Sequence, residues 1–90
     1  MAITYQIVYW RDIPAQIKIK EGRQRKGRPL SDRFGQAIDQ AAMLAGLTGS
    51  DAYLAEWRTT GWQESDEEAE ALAERLAAEL EAAYPAERLR

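Results

Sequence analysis

Two short runs of alternating residues near the start constrain this chain more than anything else in it. Residues 3–10 place Ile3, Tyr5, Ile7 and Tyr9 on one side and Thr4, Gln6, Val8 and Trp10 on the other. β-Branched and aromatic residues dominate the run, and a period of two is the signature of a strand. Arg11-Asp12-Ile13-Pro14 interrupts it. Proline fixes φ and removes a ladder donor, and aspartate suits a turn. Alternation resumes over residues 15–20, with Ala15, Ile17 and Ile19 against Gln16, Lys18 and Lys20. Lysines on the solvent side of a short strand guard it against edge pairing. The two runs predict an antiparallel hairpin. A hairpin alone is barely stable in water, so the rest of the chain must cover it.

Gly22 to Pro29 predicts a basic loop, broken by Gly22 and Gly27. A helix follows, with Ser31 as N-cap and Asp32 at the positive end of its dipole. Phe34, Ile38, Ala41 and Ala45 fall on one face, Ala37 and Leu44 lie beside them, and Gly46 is the stop. Residues 47–51 form a turn, and Tyr53 to Trp62 reads as a third strand with Gly61 as a breaker near its end. Ser65-Asp66-Glu67-Glu68 has the capping-box pattern, with Ser65 as N-cap. Ala69, Leu72, Leu76, Leu80 and Ala83 then recur at helical spacing until Tyr84 and Pro85. The predicted fold is α+β. It is a β-β-α-β-α two-layer sandwich, a three-stranded sheet with its first strand central and two helices packed on one face. Ninety residues hold a single domain, assigned to residues 1–85, with 86–90 as a frayed tail.

Composition narrows the chemistry. The chain has no cysteine and no histidine. Disulfides, thiolate zinc sites, cysteine nucleophiles, the commonest general base and the commonest transition-metal ligand all go with them. Ser31, Ser50 and Ser65 have cap or turn roles and no histidine to activate them. Gly22 to Gly27 lacks the Lys-Ser/Thr ending of a P-loop. Asp66, Glu67, Glu68 and Glu70 suit the first turn of a helix and lack the loop of a calcium site. No enzyme activity, cofactor or metal is expected. No apolar run approaches the about 18–20 residues of a membrane span. Met1-Ala2-Ile3-Thr4-Tyr5 also lacks the basic start of a signal peptide. The expectation is a cytoplasmic protein without a membrane partner.

Charge and aromatic residues supply the candidate sites. The net charge of −3 hides an asymmetry. Lys18, Lys20, Arg23, Arg25, Lys26 and Arg28 are crowded into eleven residues with one acid, Glu21, while the last third of the chain is acidic. That segment is a candidate anion-binding site, for phosphate or nucleic acid. The acidic balance and the lack of any RNA-binding, zinc-finger or helix-turn-helix motif weigh against nucleic acid. A solvated loop, or one that steers an acidic partner, accounts for the run as well. Trp10, Arg11 and Asp12 at the strand end form a second candidate, joined by Trp57 and Arg58 when the third strand lies beside the first. Tryptophan and arginine are the residues enriched at interface hot spots. The bland alternative is a hairpin corner, with Asp12 accepting turn N–H groups and Trp10 covering the sheet. One face of the sheet has no expected cover and would expose Thr4, Gln6 and aromatic residues. It is either a binding surface or is covered by lysine and arginine stems.

Three strings carry a resemblance. They are Val8-Tyr9-Trp10-Arg11-Asp12-Ile13-Pro14-Ala15-Gln16, then Arg33-Phe34 with Gln36-Ala37-Ile38-Asp39, then Gly49-Ser50-Asp51-Ala52-Tyr53-Leu54-Ala55-Glu56-Trp57. They resemble the short bacterial proteins of the virulence factor family, which are similar to an N-terminal segment of larger conserved virulence-factor proteins. The resemblance covers residues 3–62. It implies a small bacterial cytoplasmic protein, with a partner linked to one-carbon metabolism, and carries over no catalytic set. The function expected is that of an accessory or adaptor domain that binds a larger bacterial protein or enzyme complex. Trp10, Arg11, Asp12, Trp57 and Arg58 are its expected contacts, and a homo-oligomer is left open.

Overall fold

The computed structural model describes residues 3–47, 49, 51–85 and 87–89. Parts of the expected 47–51 turn and of the expected 86–90 tail lie outside the described residues. The elements are β1 (Ile3–Trp10), β2 (Ile13–Glu21), β3 (Gln24–Pro29), α1 (Asp32–Leu44), α2 (Asp51–Ala55), β4 (Trp57–Thr59), β5 (Gln63–Ser65) and α3 (Ala69–Ala83). The fold is α+β, as expected. The sheet has five strands rather than three, in the order β3-β2-β1-β4, with β5 also paired to β1. Every pairing is antiparallel, and β1 is central.

Two local readings are corrected. The expected basic loop is β3, paired with β2 from Glu21–Gln24 to Gln16–Pro29. The expected third strand from Tyr53 to Trp62 is instead α2, then β4, then a link to β5. β4 pairs with Val8 to Trp10 and β5 with Ile3 to Tyr5, at opposite ends of β1. Thr60 bridges the gap: its N–H donates to the Ile7 carbonyl and its Oγ1 accepts from the Ile7 N–H, both at 3.0 Å. A link thus interrupts the ladder at Thr60, whose side chain takes the Ile7 N–H in place of a backbone carbonyl.

Alternation then sorts the sheet's side chains. Ile3 on β1 and Ile17 and Ile19 on β2 join Leu30, Phe34 of α1 and Ala69, Leu72, Leu76 and Ala77 of α3 in one core cluster. The spacing seen in the last helix is therefore the spacing of its buried stripe. A smaller cluster joins Trp10 to Ile38 and Ala42 in the second half of α1. Gly46 has φ 73 after the C-cap Ala45, the left-handed stop expected of it.

The helix starts differ from expectation in an instructive way. Ser31 is the N-cap of α1, but its hydroxyl makes no cap bond. It donates to Glu81 of α3 at 2.8 Å, and the Ser31 N–H donates to the same carboxylate at 2.9 Å. Arg33 pairs with Glu81 at 3.0 Å and donates to the backbone carbonyls of Glu81 and Tyr84. The start of α1 is thus capped from the end of α3. Burial pushes the Glu81 carboxyl up, but the two Ser31 donors, with the charges of Arg33 and Arg28, outweigh it and hold the group below the usual carboxylate range. The expected capping box does not form. Ser65 is held in β5 opposite Ile3, α3 begins at Ala69, and Ser65 Oγ accepts from the Glu67 N–H. Glu67 is taken up by Arg75, whose hydrogen bonds lower its carboxyl pKa.

Candidate binding surface

The end of the first hairpin brings the expected contact residues together and then occupies most of them. Trp10 is fully buried, at 0% exposure. Its indole N–H donates to the Tyr53 carbonyl at 3.0 Å, and the two rings lie 5.6 Å apart. This corrects its expected role as a contact. The register shifts between Val8 and Tyr9, leaving Ala15 as an extra residue on β2. A bulge bends and twists a strand, and here α1 and α2 close over the bent end. Trp57 lies edge-on to Tyr53 at 6.2 Å. Arg11 is half-exposed, pairs with Glu56 at 3.2 Å and stands 5.1 Å from the centre of the Trp10 ring. Arg58 donates to the Arg11 carbonyl at 2.9 Å and covers the Tyr9 ring at 4.5 Å. Burial, with Tyr84 nearby, raises the Tyr9 phenol pKa against the pull of Arg58. Asp12 is exposed at the corner.

Arg11 also carries backbone strain. It is the first central residue of the two-residue loop between Trp10 and Ile13, with φ 54. Gly22 holds the same place in the loop between Glu21 and Gln24, with φ 60. Glycine adopts this conformation freely, whereas a residue with Cβ is penalised by about 1–2 kcal/mol.

The basic run does not form one cluster. Successive strand residues face opposite sides of a sheet. Lys18 pairs with Gly27 and Lys20 with Arg25 on one side, while Lys26 lies opposite Ile19 and Arg28 opposite Ile17 on the other. Arg28 is also paired with Glu74 of α3 at 2.8 Å. Arg23 sits in the turn.

What the register assembles instead is an uncovered face. Thr4-Lys20-Arg25, Gln6-Lys18-Gly27 and Val8-Gln16-Pro29 run as three rows across β1, β2 and β3. None of these residues belongs to either helix-packed cluster. Trp62, in the link between β4 and β5, is 49% exposed and lines a recess here with Gln6, Gln16, Lys18, Arg25, Gly27 and the neighbouring Lys26, above Ile19. Together they enclose an open recess of about 250 Å³. Gln6 is buried at 9% and donates to the Thr60 carbonyl at 3.0 Å, which ties the Trp62 link to β1. Gly27 leaves room in its row: a Cβ there would come 3.4 Å from Gln16 Oε1. A tryptophan, two amides and three cations suit the binding of an anionic chain with an apolar group. They offer no nucleophile beside a base.

The sequence alone sets Gln6 on an uncovered face and Lys18 and Arg25 in the basic run without joining them, and it shows Gln16, Gly27 and Trp62 only as a strand residue, a breaker and a strand end. The available signal was Gly27 itself, since a glycine inside a strand marks a bulge or a place where something approaches closely.

A family profile described as virulence factor matches residues 8–90. No curated protein and no solved structure matches the chain. The match extends beyond the three strings that carried the resemblance and takes in the Trp62 link and all of α3. By that match, over nearly its whole length, the chain belongs to the virulence factor family.

Proposed function

We propose that this chain is an accessory domain that docks on a larger bacterial protein or enzyme complex through the open face of its sheet. One observation carries the reading. The sheet face bearing Gln6, Gln16, Lys18, Lys20 and Arg25 lacks a helical cover, and an exposed tryptophan stands over it. Large apolar side chains left in a polar rim mark interaction sites. Among the described residues no helix is long and apolar enough to cross a membrane. The partner lies in the cytoplasm, and a one-carbon enzyme complex is the candidate that the family resemblance implies. The earlier contact set shifts: Arg11, Asp12, Trp57 and Arg58 form a rim, and Trp10 supports them from inside. The phosphate or nucleic-acid alternative loses ground because its six cations are divided between two faces and a turn.

Face-specific cross-linking tests this. A photoreactive residue at Gln16 should capture one predominant protein in an extract of the source cell. The same residue at Glu79 on α3 should not capture it, and Lys18→Glu with Arg25→Glu should abolish capture. Equal capture from both positions, or capture of nucleic acid at Gln16, would overturn the proposal.

A further inference from the structure

Resting on that docking reading, we infer that the recess beneath Trp62 takes one apolar side chain of an acidic, extended segment carried by the partner. Size sets the guest. Clefts that enclose a drug-sized ligand run to about 300–1,000 Å³. At about 250 Å³ this open recess falls below that range, and a leucine or phenylalanine side chain fits within it. Trp62 supplies an apolar ring to the lining, and Gly27, the one position in its row without a side chain, leaves space in it.

Charge sets what flanks the guest. Lys18 shares the row of Gly27, and Lys20 and Arg25 form the next row. No acidic residue lines the recess. On this face the nearest acid placed by the register is Glu64, opposite Thr4 on the β5 side; Glu21, opposite Gln24 at the end of β2, falls on the other side of the alternation. Acidic residues of the guest segment are therefore drawn to the β2–β3 side, away from Glu64. Complementary charge of this kind sets orientation and on-rate, while the buried apolar anchor supplies most of the affinity. Gln16 provides an amide for the backbone of the segment, while Gln6 is held by the Thr60 carbonyl.

Gly27 permits a direct test, because its φ lies outside the left-handed region and the nearest atom to a Cβ is the end of a flexible side chain. Gly27→Leu fills the recess with the chain's own side chain and leaves the fold intact. The probe is a fluorescein-labelled peptide, Asp-Glu-Phe-Asp-Glu, read by anisotropy at low salt. Its partners are the same peptide with alanine for phenylalanine and a ten-nucleotide oligothymidylate. The phenylalanine peptide should bind about five-fold or more tightly than the alanine peptide. Gly27→Leu and Trp62→Ala should each erase that difference while their thermal melts stay at the wild-type position.

Unchanged discrimination between the peptides in folded Gly27→Leu and Trp62→Ala overturns the inference. So does oligothymidylate binding that exceeds the peptide and is blocked by the same variants. Cross-linking separates this failure from failure of the docking reading. Partner capture at Gln16 that persists in Gly27→Leu, with no peptide discrimination, removes the recess alone. Absence of face-specific capture in the wild type removes the docking reading.

Discussion

Replacing Trp10 with alanine separates a buried support from a contact residue. The side chain is fully buried against Ile38, Ala42 and Tyr53. Truncating a buried tryptophan costs about 3–5 kcal/mol in lost burial and residual cavity. Total stability for a chain of this length is about 5–13 kcal/mol, so the substitution removes about a quarter of it or more. At about 4–8 °C per kcal/mol for a domain of this size, the melting temperature falls by about 12 °C or more. Trp10→Phe keeps most of the ring but leaves the Tyr53 carbonyl without its 3.0 Å donor. That should cost a smaller amount, about 1–3 kcal/mol. Urea unfolding followed by circular dichroism measures both. The reasoning fails if Trp10→Ala unfolds within about 0.5 kcal/mol of wild type, the range of an ordinary surface substitution. Loss of partner capture per folded molecule in that same variant would return Trp10 to the contact surface.

Leu72, fully buried beneath the sheet, should cost about 2–5 kcal/mol as Leu72→Ala, against little change for Trp62→Ala at its half-exposed site. Arg11→Ala and Arg11→Gly both remove the Glu56 ion pair, so their difference isolates the positive φ: the glycine variant should be the more stable by about 1 kcal/mol, and a more stable alanine variant would contradict the strain argument. Glu81 has a depressed pKa in the folded state, so its stabilising effect is present above the usual carboxylate value and is lost as pH falls through the folded value. The gap in melting temperature between wild type and Glu81→Gln should therefore be widest near pH 7 and close below about pH 4, the carboxylate range; a gap that stays constant to pH 3 would count against the trans cap.

The parts of this fold that show in the sequence are those where one period holds over two or more turns or pleats. β1, β2 and α1 qualify, and so does the apolar stripe of α3. The parts that do not show depend on partners far along the chain. Ser65 has every feature of an N-cap, but pairing with Ile3 holds it in β5 and moves the helix start to Ala69. Tyr53 to Trp62 has strand-like residues, but it holds the end of α2, the three residues of β4 and a link, tied to Ile7 by Thr60, that leads on to β5. Trp10 sits on the alternation that faces away from the core. It is buried all the same, because a bulge at Ala15 and the second half of α1 act on it together. Propensity is a weak prior wherever tertiary pairing decides.

The basic run shows most clearly why a candidate site cannot be read from a linear cluster. Gln24 to Pro29 is poor strand material, with no β-branched residue, a glycine and a proline, and every side chain in it is exposed. It is a strand because Gly22 supplies a positive φ for a two-residue turn and β2 offers an edge to pair with. Once it is a strand, alternation divides its charges. Lys26 and Arg28 go to the helix side, where Arg28 binds Glu74, while Arg25 joins Lys18 and Lys20 on the open face. A loop would have let all six cations converge on one polyanion. The strand instead leaves a smaller positive field beside a tryptophan and a gap made by glycine, a surface better matched to a short acidic segment of a protein than to a phosphate backbone.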